Sequence, residues 1–74
     1  MKAAKLQSLL ESQFGYVVKV QRGSHKKLVS DEGYPKLTFA FHDGDEVPPG
    51  LVRKILVKDV GLTADAAAQL LRLG

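Results

Sequence analysis

Residues 16–30 read YVVKVQRGSHKKLVS. The opening seven are rich in β-branched side chains and alternate, with Tyr16, Val18 and Val20 at one set of positions and Val17, Lys19 and Gln21 at the other. That pattern predicts a strand with Tyr16, Val18 and Val20 on its buried face. Gly23 permits a tight reversal, and HKKLVS (residues 25–30) reads as the returning strand. A hairpin this well marked decides the fold class, because everything around it must cover one face of a sheet.

Working outward, Ala3, Leu6, Leu9 and Leu10 recur at helical spacing, so an amphipathic helix is expected from Lys2 to about Gln13, with Gly15 as its C-terminal glycine. After the hairpin, DEGYP is a turn and KLTFAF (residues 36–41) alternates as a third strand, Leu37, Phe39 and Phe41 facing one way and Lys36, Thr38 and Ala40 the other. Beyond the loop HDGDEVPPG, Leu51, Val52, Ile55 and Leu56 mark a second helix entered through Pro48 and Pro49 and ended by Gly61. Thr63 is a good N-cap for a short last helix through Leu73, with Asp65 in its first turn. The expected fold is α+β, a two-layer sandwich. A three-stranded antiparallel sheet carries helices on one face in the order α-β-β-β-α, plus a short C-terminal helix. That order is the topology of the double-stranded-RNA-binding domain, an analogy of fold that does not establish function.

The chain of 74 residues is expected to be a single domain, 1–74. At this size one core supplies only about 3–5 kcal/mol of net stability. It has no cysteine for a disulfide or a thiolate zinc site, and its 45% apolar content suffices for a packed core. The N-terminal MKAAKLQSLLESQ is broken by polar residues every turn and is not a signal peptide, and no apolar run nears the roughly 20 residues that span a bilayer. A cytoplasmic protein with no membrane association is expected. The net charge is +3, and the segment from Lys19 to Lys36 accounts for all of it: Lys19, Arg22, Lys26, Lys27 and Lys36 stand against Asp31 and Glu32. A local excess of this kind suits a polyanion, or is simply a solvated strand face.

The succession FGYVVKVQRGSHKKL (residues 14–28), FAFH (39–42), PPGLVRKIL (48–56) and GLT (61–63) resembles the HicA toxins, small ribonucleases of type II toxin–antitoxin systems. Gly15, Tyr16, Gly23, Ser24, His25, Lys27, His42, Gly50, Arg53, Ile55, Leu56, Gly61 and Leu62 match the family pattern in kind and order. Lys26 departs from it, standing where the family often has a second histidine. Leu28 replaces an aromatic, Ala40 a proline and Leu51 a threonine, and the stretch between Leu56 and Gly61 is about one residue longer. The resemblance implies an endoribonuclease that cuts mRNA and arrests translation, with His25 catalytic and a HicB-type antitoxin as the neutralising partner in a hetero-oligomer. It implies no cofactor and no metal.

Cleavage without a metal needs a general base for the 2′-hydroxyl proton and an acid for the leaving 5′-oxygen, and imidazole suits both because its unperturbed pKa of about 6.5 lies near working pH. Beside a glycine turn, His25 can reach a phosphate; Gly23 lets the backbone approach, and Ser24 can donate to a phosphate oxygen. Lys26 or Lys27 would offset charge growing on the phosphorus centre. Alternation puts Lys27 on the face of His25 and Lys26 on the other, which favours Lys27. Arg22 and Lys19 complete the expected RNA-binding set.

Other residues stay open. His42 could be a second catalytic group, a phosphate contact or a loop-bonding residue. Its neighbours Asp43, Asp45 and Glu46 could in principle bind a metal, but the spacing fits neither an EF-hand nor a zinc motif. Arg53 and Lys54 are placed at the opening of the second helix, where Arg53 could meet RNA or an acidic partner. Tyr34, in a turn, is the better candidate for stacking a base, and Tyr16 belongs to the core. Two other classes compete with the enzyme: a non-catalytic RNA-binding module of the same fold, which needs the lysines but not the histidine, and a protein-interaction domain.

Overall fold

The computed structural model describes residues 1–73, save the side chain of Leu73. The elements are α1 (Ala3–Phe14), β1 (Tyr16–Arg22), β2 (His25–Ser30), β3 (Leu37–Ala40), α2 (Pro49–Lys54), a π-helical turn (Ile55–Val60) and α3 (Ala64–Leu73). The sheet is antiparallel with spatial order β1-β2-β3, so the α+β reading holds. Buried Tyr16, Leu28, Leu37 and Phe39 lie on one sheet face and join Leu6, Leu10 and Phe14 of α1 and Val52, Ile55, Leu56 and Val60 of the second helical segment in a single core.

Helix α1 starts without a side-chain cap. Its first N–H groups are met instead by the loop after β3: Ala3 N donates to the Asp45 carbonyl (2.8 Å) and Ala4 N to that of Asp43 (3.2 Å). It ends at Gly15, in the left-handed region with φ 69°, whose N–H donates to the Leu10 carbonyl. The Ser30 hydroxyl then donates to the Phe14 carbonyl (2.6 Å), fastening the end of the hairpin to the end of the helix. A Cβ on Gly15 would also lie 2.7 Å from a Glu32 carboxylate oxygen, which can swing aside because Glu32 is exposed. The backbone strain remains. Gly15→Ala is therefore expected to lower stability by about 1–2 kcal/mol, read as a shifted urea midpoint at unchanged m-value.

One feature of β1 departs from the sequence expectation. Val18 pairs with Leu28, but Val20 pairs with Lys27, so Lys19 is an extra residue in a β-bulge. Beyond it the faces exchange. Val20, expected in the core beside Tyr16 and Val18, is 48% exposed on the open face. Gln21 turns toward the helices opposite Lys26, and Arg22 joins the open face opposite His25. A half-turn of phase per residue is what a strand imposes, so one inserted residue inverts everything after it.

Tyr34 is half-buried, its ring edge-on to Phe14 at 5.0 Å and tilted against Tyr16 at 6.4 Å. It packs into the core margin and is not placed as a stacking surface. Tyr16 donates to the Pro35 carbonyl (2.7 Å), and burial, helped by the carboxylate of Asp59, pushes its phenol pKa above the ordinary 10.0. A phenol with a raised folded pKa contributes stability that is complete below the unfolded value and lost as pH rises through the folded one. Titrating tyrosinate absorbance in a Tyr34→Phe variant should show the remaining tyrosine ionising above the free-phenol range, with the fold loosening over the same interval.

The second helix runs as α-helix only to Lys54, and residues 55–60 widen into a π turn closed by Gly61, φ 90°. Ile55, Leu56 and Val60 all stay buried in this wider turn. Arg53 and Lys54 consequently lie in the last turn of α2 and not at its opening. Thr63 caps α3 as expected, its hydroxyl accepting from Ala66 N (3.1 Å).

Candidate functional site

The open face of the sheet carries the candidate site. Reading across the strands, one row is Arg22, His25 and Ala40, and the next is Val20, Lys27 and Thr38. Directly opposed residues on one face have Cβ atoms about 4.5–5.5 Å apart, so Arg22 and His25 are neighbours by construction. Ala40, on the other side of His25, ends at its Cβ and leaves the imidazole approachable from β3. A shallow cleft over these rows is lined by Val20, Arg22, His25, Lys27 and Thr38. It continues into a second hollow edged by Lys19, Val29 and Lys36.

Local structure explains why these side chains meet. Gly23 has φ 60° and Ser24 an ordinary negative φ, the pattern of a two-residue type II′ turn, which sets Arg22 opposite His25. The bulge then brings Val20 and Arg22 onto the face of His25 and Lys27. None of the side chains of Lys19, Arg22, His25, Lys27 or Lys36 bonds or pairs with another described residue. No acidic residue lines either hollow. The face is therefore a cationic surface whose donors all point to solvent, around one imidazole.

The expected site residues divide. Lys19, Arg22, His25 and Lys27 are brought together, with Gly23 and Ser24 in the turn beside them. Lys26 is not with them: it faces the helices, 8% exposed, and its ammonium donates to Gln7 Oε1 (2.7 Å) and to Asp43 Oδ1 (3.4 Å). Its burial follows from alternation, since Leu28 two residues on is a core residue. His42 lies past the end of β3 in a hollow of its own, and Arg53 is on the helical layer beside Lys54 and Lys58. Val20, Thr38 and Lys36 belong to the site and had not been selected from sequence. The alternation of Thr38 with Leu37 and Phe39 signalled its face, whereas nothing marked Val20.

The acidic loop 43–46 is engaged piecemeal. Asp43 meets Lys26, Asp45 accepts from the His42 N–H (2.9 Å), and Glu46 takes the Met1 ammonium, whose hydrogen bond holds that carboxyl below the usual carboxylate range. Among the described residues no group of three or more histidines and carboxylates is arranged to hold a metal ion.

Residues 3–62 match the family model described as HicA toxin of bacterial toxin–antitoxin, which covers most of the chain. The chain belongs to the HicA toxin family. It is thus a toxin of a toxin–antitoxin system, and membership implies an antitoxin as its partner. No curated protein and no solved structure gives a significant match. The HicA model spans α1 through Leu62, so hairpin, bulge and π turn all lie within the family region, and α3 lies beyond it. Among the described residues no helix is long and apolar enough to cross a membrane.

Proposed function

We propose that this HicA toxin is a metal-independent endoribonuclease that cleaves mRNA and so inhibits translation, with His25 as the acid–base residue. The observation that carries the reading is the open sheet face: one exposed imidazole, flanked by Arg22 and Lys27, on a surface without a lining carboxylate. A polyanion is drawn to such a face, and its phosphates are positioned by cations that carry no sequence information. At the reacting phosphate His25 takes the 2′-hydroxyl proton. Lys27, one alternation along on the same face, and Arg22, directly across the ladder, offset charge on the phosphorane. Lys19 and Lys36 extend the cationic track for the flanking backbone. A single imidazole serves one proton transfer at a time, so as the P–O5′ bond breaks the leaving 5′-oxygen takes its proton from water, a lysine or a neighbouring molecule.

A HicB-type antitoxin would neutralise the toxin by covering this face, where its own carboxylates could replace phosphates. The competing reading, a binding module that holds RNA without cutting it, draws on the same cations and differs only in needing no histidine.

The decisive test is incubation of the purified protein with a defined mRNA in EDTA. Cleavage at a rate unchanged by EDTA is the expected outcome. Binding without cleavage, with or without added magnesium, would leave the binding module in its place.

A further inference from the structure

A separate hollow lies on the other side of the Gly23–Ser24 turn from His25. It has a volume of about 170 Å³ and is lined by Gln21, Gly23, Ser24, Lys26, Phe41, His42 and Asp43, none of which lines the cleft around His25. The turn supplies one wall, the helix-facing side of β2 the floor, and the chain leaving β3 the other wall.

Its polar groups are only partly committed. An ammonium has three N–H donors, and that of Lys26 has two acceptors, Gln7 and Asp43, leaving one donor with no acceptor among the described residues. The Ser24 hydroxyl and the His42 imidazole make no side-chain hydrogen bond with any described residue. The bonds His42 does make run through its backbone, from its N–H to Asp45 Oδ2 (2.9 Å) and to its carbonyl from Asp45 N (2.9 Å). Phe41, half-buried against Phe39 at 5.2 Å, adds aromatic surface. Uncommitted donors, an imidazole and a ring in a hollow the size of one planar heterocycle are the ingredients with which proteins read an unpaired base: stacking on the ring faces and hydrogen bonds to the base edge.

We infer that this hollow is a base-recognition pocket for the nucleotide next to the scissile phosphate, selecting bases with a keto oxygen at purine C6 or pyrimidine C4, guanine and uracil, over bases with an amino group at that position, adenine and cytosine. The inference rests on the reading of His25 as the place of cleavage. A lysine ammonium only donates, so it bonds a keto oxygen and opposes an amino group. The path between the sites is open: even a Cβ on Gly23 would meet nothing within 4 Å, so a strand with one phosphate at His25 can cross the turn and seat its next base beside Lys26. The charge of Asp43 is partly offset by that same ammonium, 3.4 Å from its Oδ1.

The test uses a His25→Ala protein, which binds without cutting, and fluorescent hexamers of uridine and of cytidine, which differ only in the keto or amino group at C4. Oligouridine is expected to bind about tenfold more tightly. The preference should vanish in Lys26→Gln, and an NMR titration of the parent protein should move the Ser24, Phe41 and His42 amides with oligouridine. Equal affinities, or amide shifts that avoid these three residues, overturn the pocket whether or not the Lys26 variant folds. Wild-type protein that cleaves RNA but binds both hexamers alike fails the pocket alone. Protein that prefers oligouridine but cuts nothing fails the ribonuclease reading alone.

Discussion

Replacing His25 with alanine lowers the rate of RNA cleavage by about 10²–10⁴-fold and leaves RNA affinity nearly unchanged. The magnitude is that of a positioned proton-transfer group. The separation of rate from affinity follows from the geometry. His25 is exposed, makes no side-chain bond within the protein, and faces Ala40 across the ladder, so its removal disturbs no packing. The cations that hold the backbone remain. A gel-based cleavage assay run beside fluorescence anisotropy with the same RNA measures both quantities. Loss of affinity equal to the loss of rate would make His25 a phosphate contact. An unchanged rate would remove it from the mechanism altogether. Lys27→Ala is the informative companion, because a residue that offsets transition-state charge and also holds phosphate should lower both.

Phe39→Ala is expected to unfold the domain. Phe39 is 1% exposed at the centre of β3, in the core shared with α1 and the second helical segment, and it packs edge-on to Phe41. Truncating a buried phenylalanine costs about 3–5 kcal/mol, which is the whole net stability expected for a core this small. Circular dichroism in a urea titration should show no folded baseline for the variant. Val17→Ala supplies the contrast: Val17 is 43% exposed on the open face, and a surface truncation of that kind stays within about 0.5 kcal/mol. A Phe39→Ala protein that still unfolds cooperatively near the parent midpoint would mean that Phe39 is not central to the core.

The elements were legible in the sequence because each is announced by a residue that admits one local conformation or by a long enough period. Gly15 and Gly61 ended helices at left-handed positions, Gly23 marked the hairpin turn, and Leu37 and Phe39 alternated with Thr38. His25 and Lys27 were placed on one face by the same alternation. What escaped were events that shift a period without changing composition. A bulge at Lys19 uses an ordinary lysine at an exposed edge, so no glycine betrays it, yet it sends Val20 out and Gln21 in. The π turn hides in a helical pattern for the same reason, since Ile55, Leu56 and Val60 satisfy either winding. The burial of Lys26 also escaped, because charge suggests solvent and the acceptors that allow it, Gln7 and Asp43, are distant in sequence. Tyr34 likewise found its ring partners on α1 and β1, contacts that no local rule foresees.

The bulge also bears on how this hairpin can be moved or compared. Lys19 acts as a frame marker: the codons before it are read out to one surface and those after it to the other. A graft of residues 20–27 onto a straight, unbulged strand keeps Val20, Arg22, His25 and Lys27 and aims the first of them at the wrong side of the host. An alignment that slides a gap across Lys19 makes the same error on paper, trading Arg22 for Gln21 as the neighbour of His25. Transplanting or matching the site therefore means carrying the surplus residue with it.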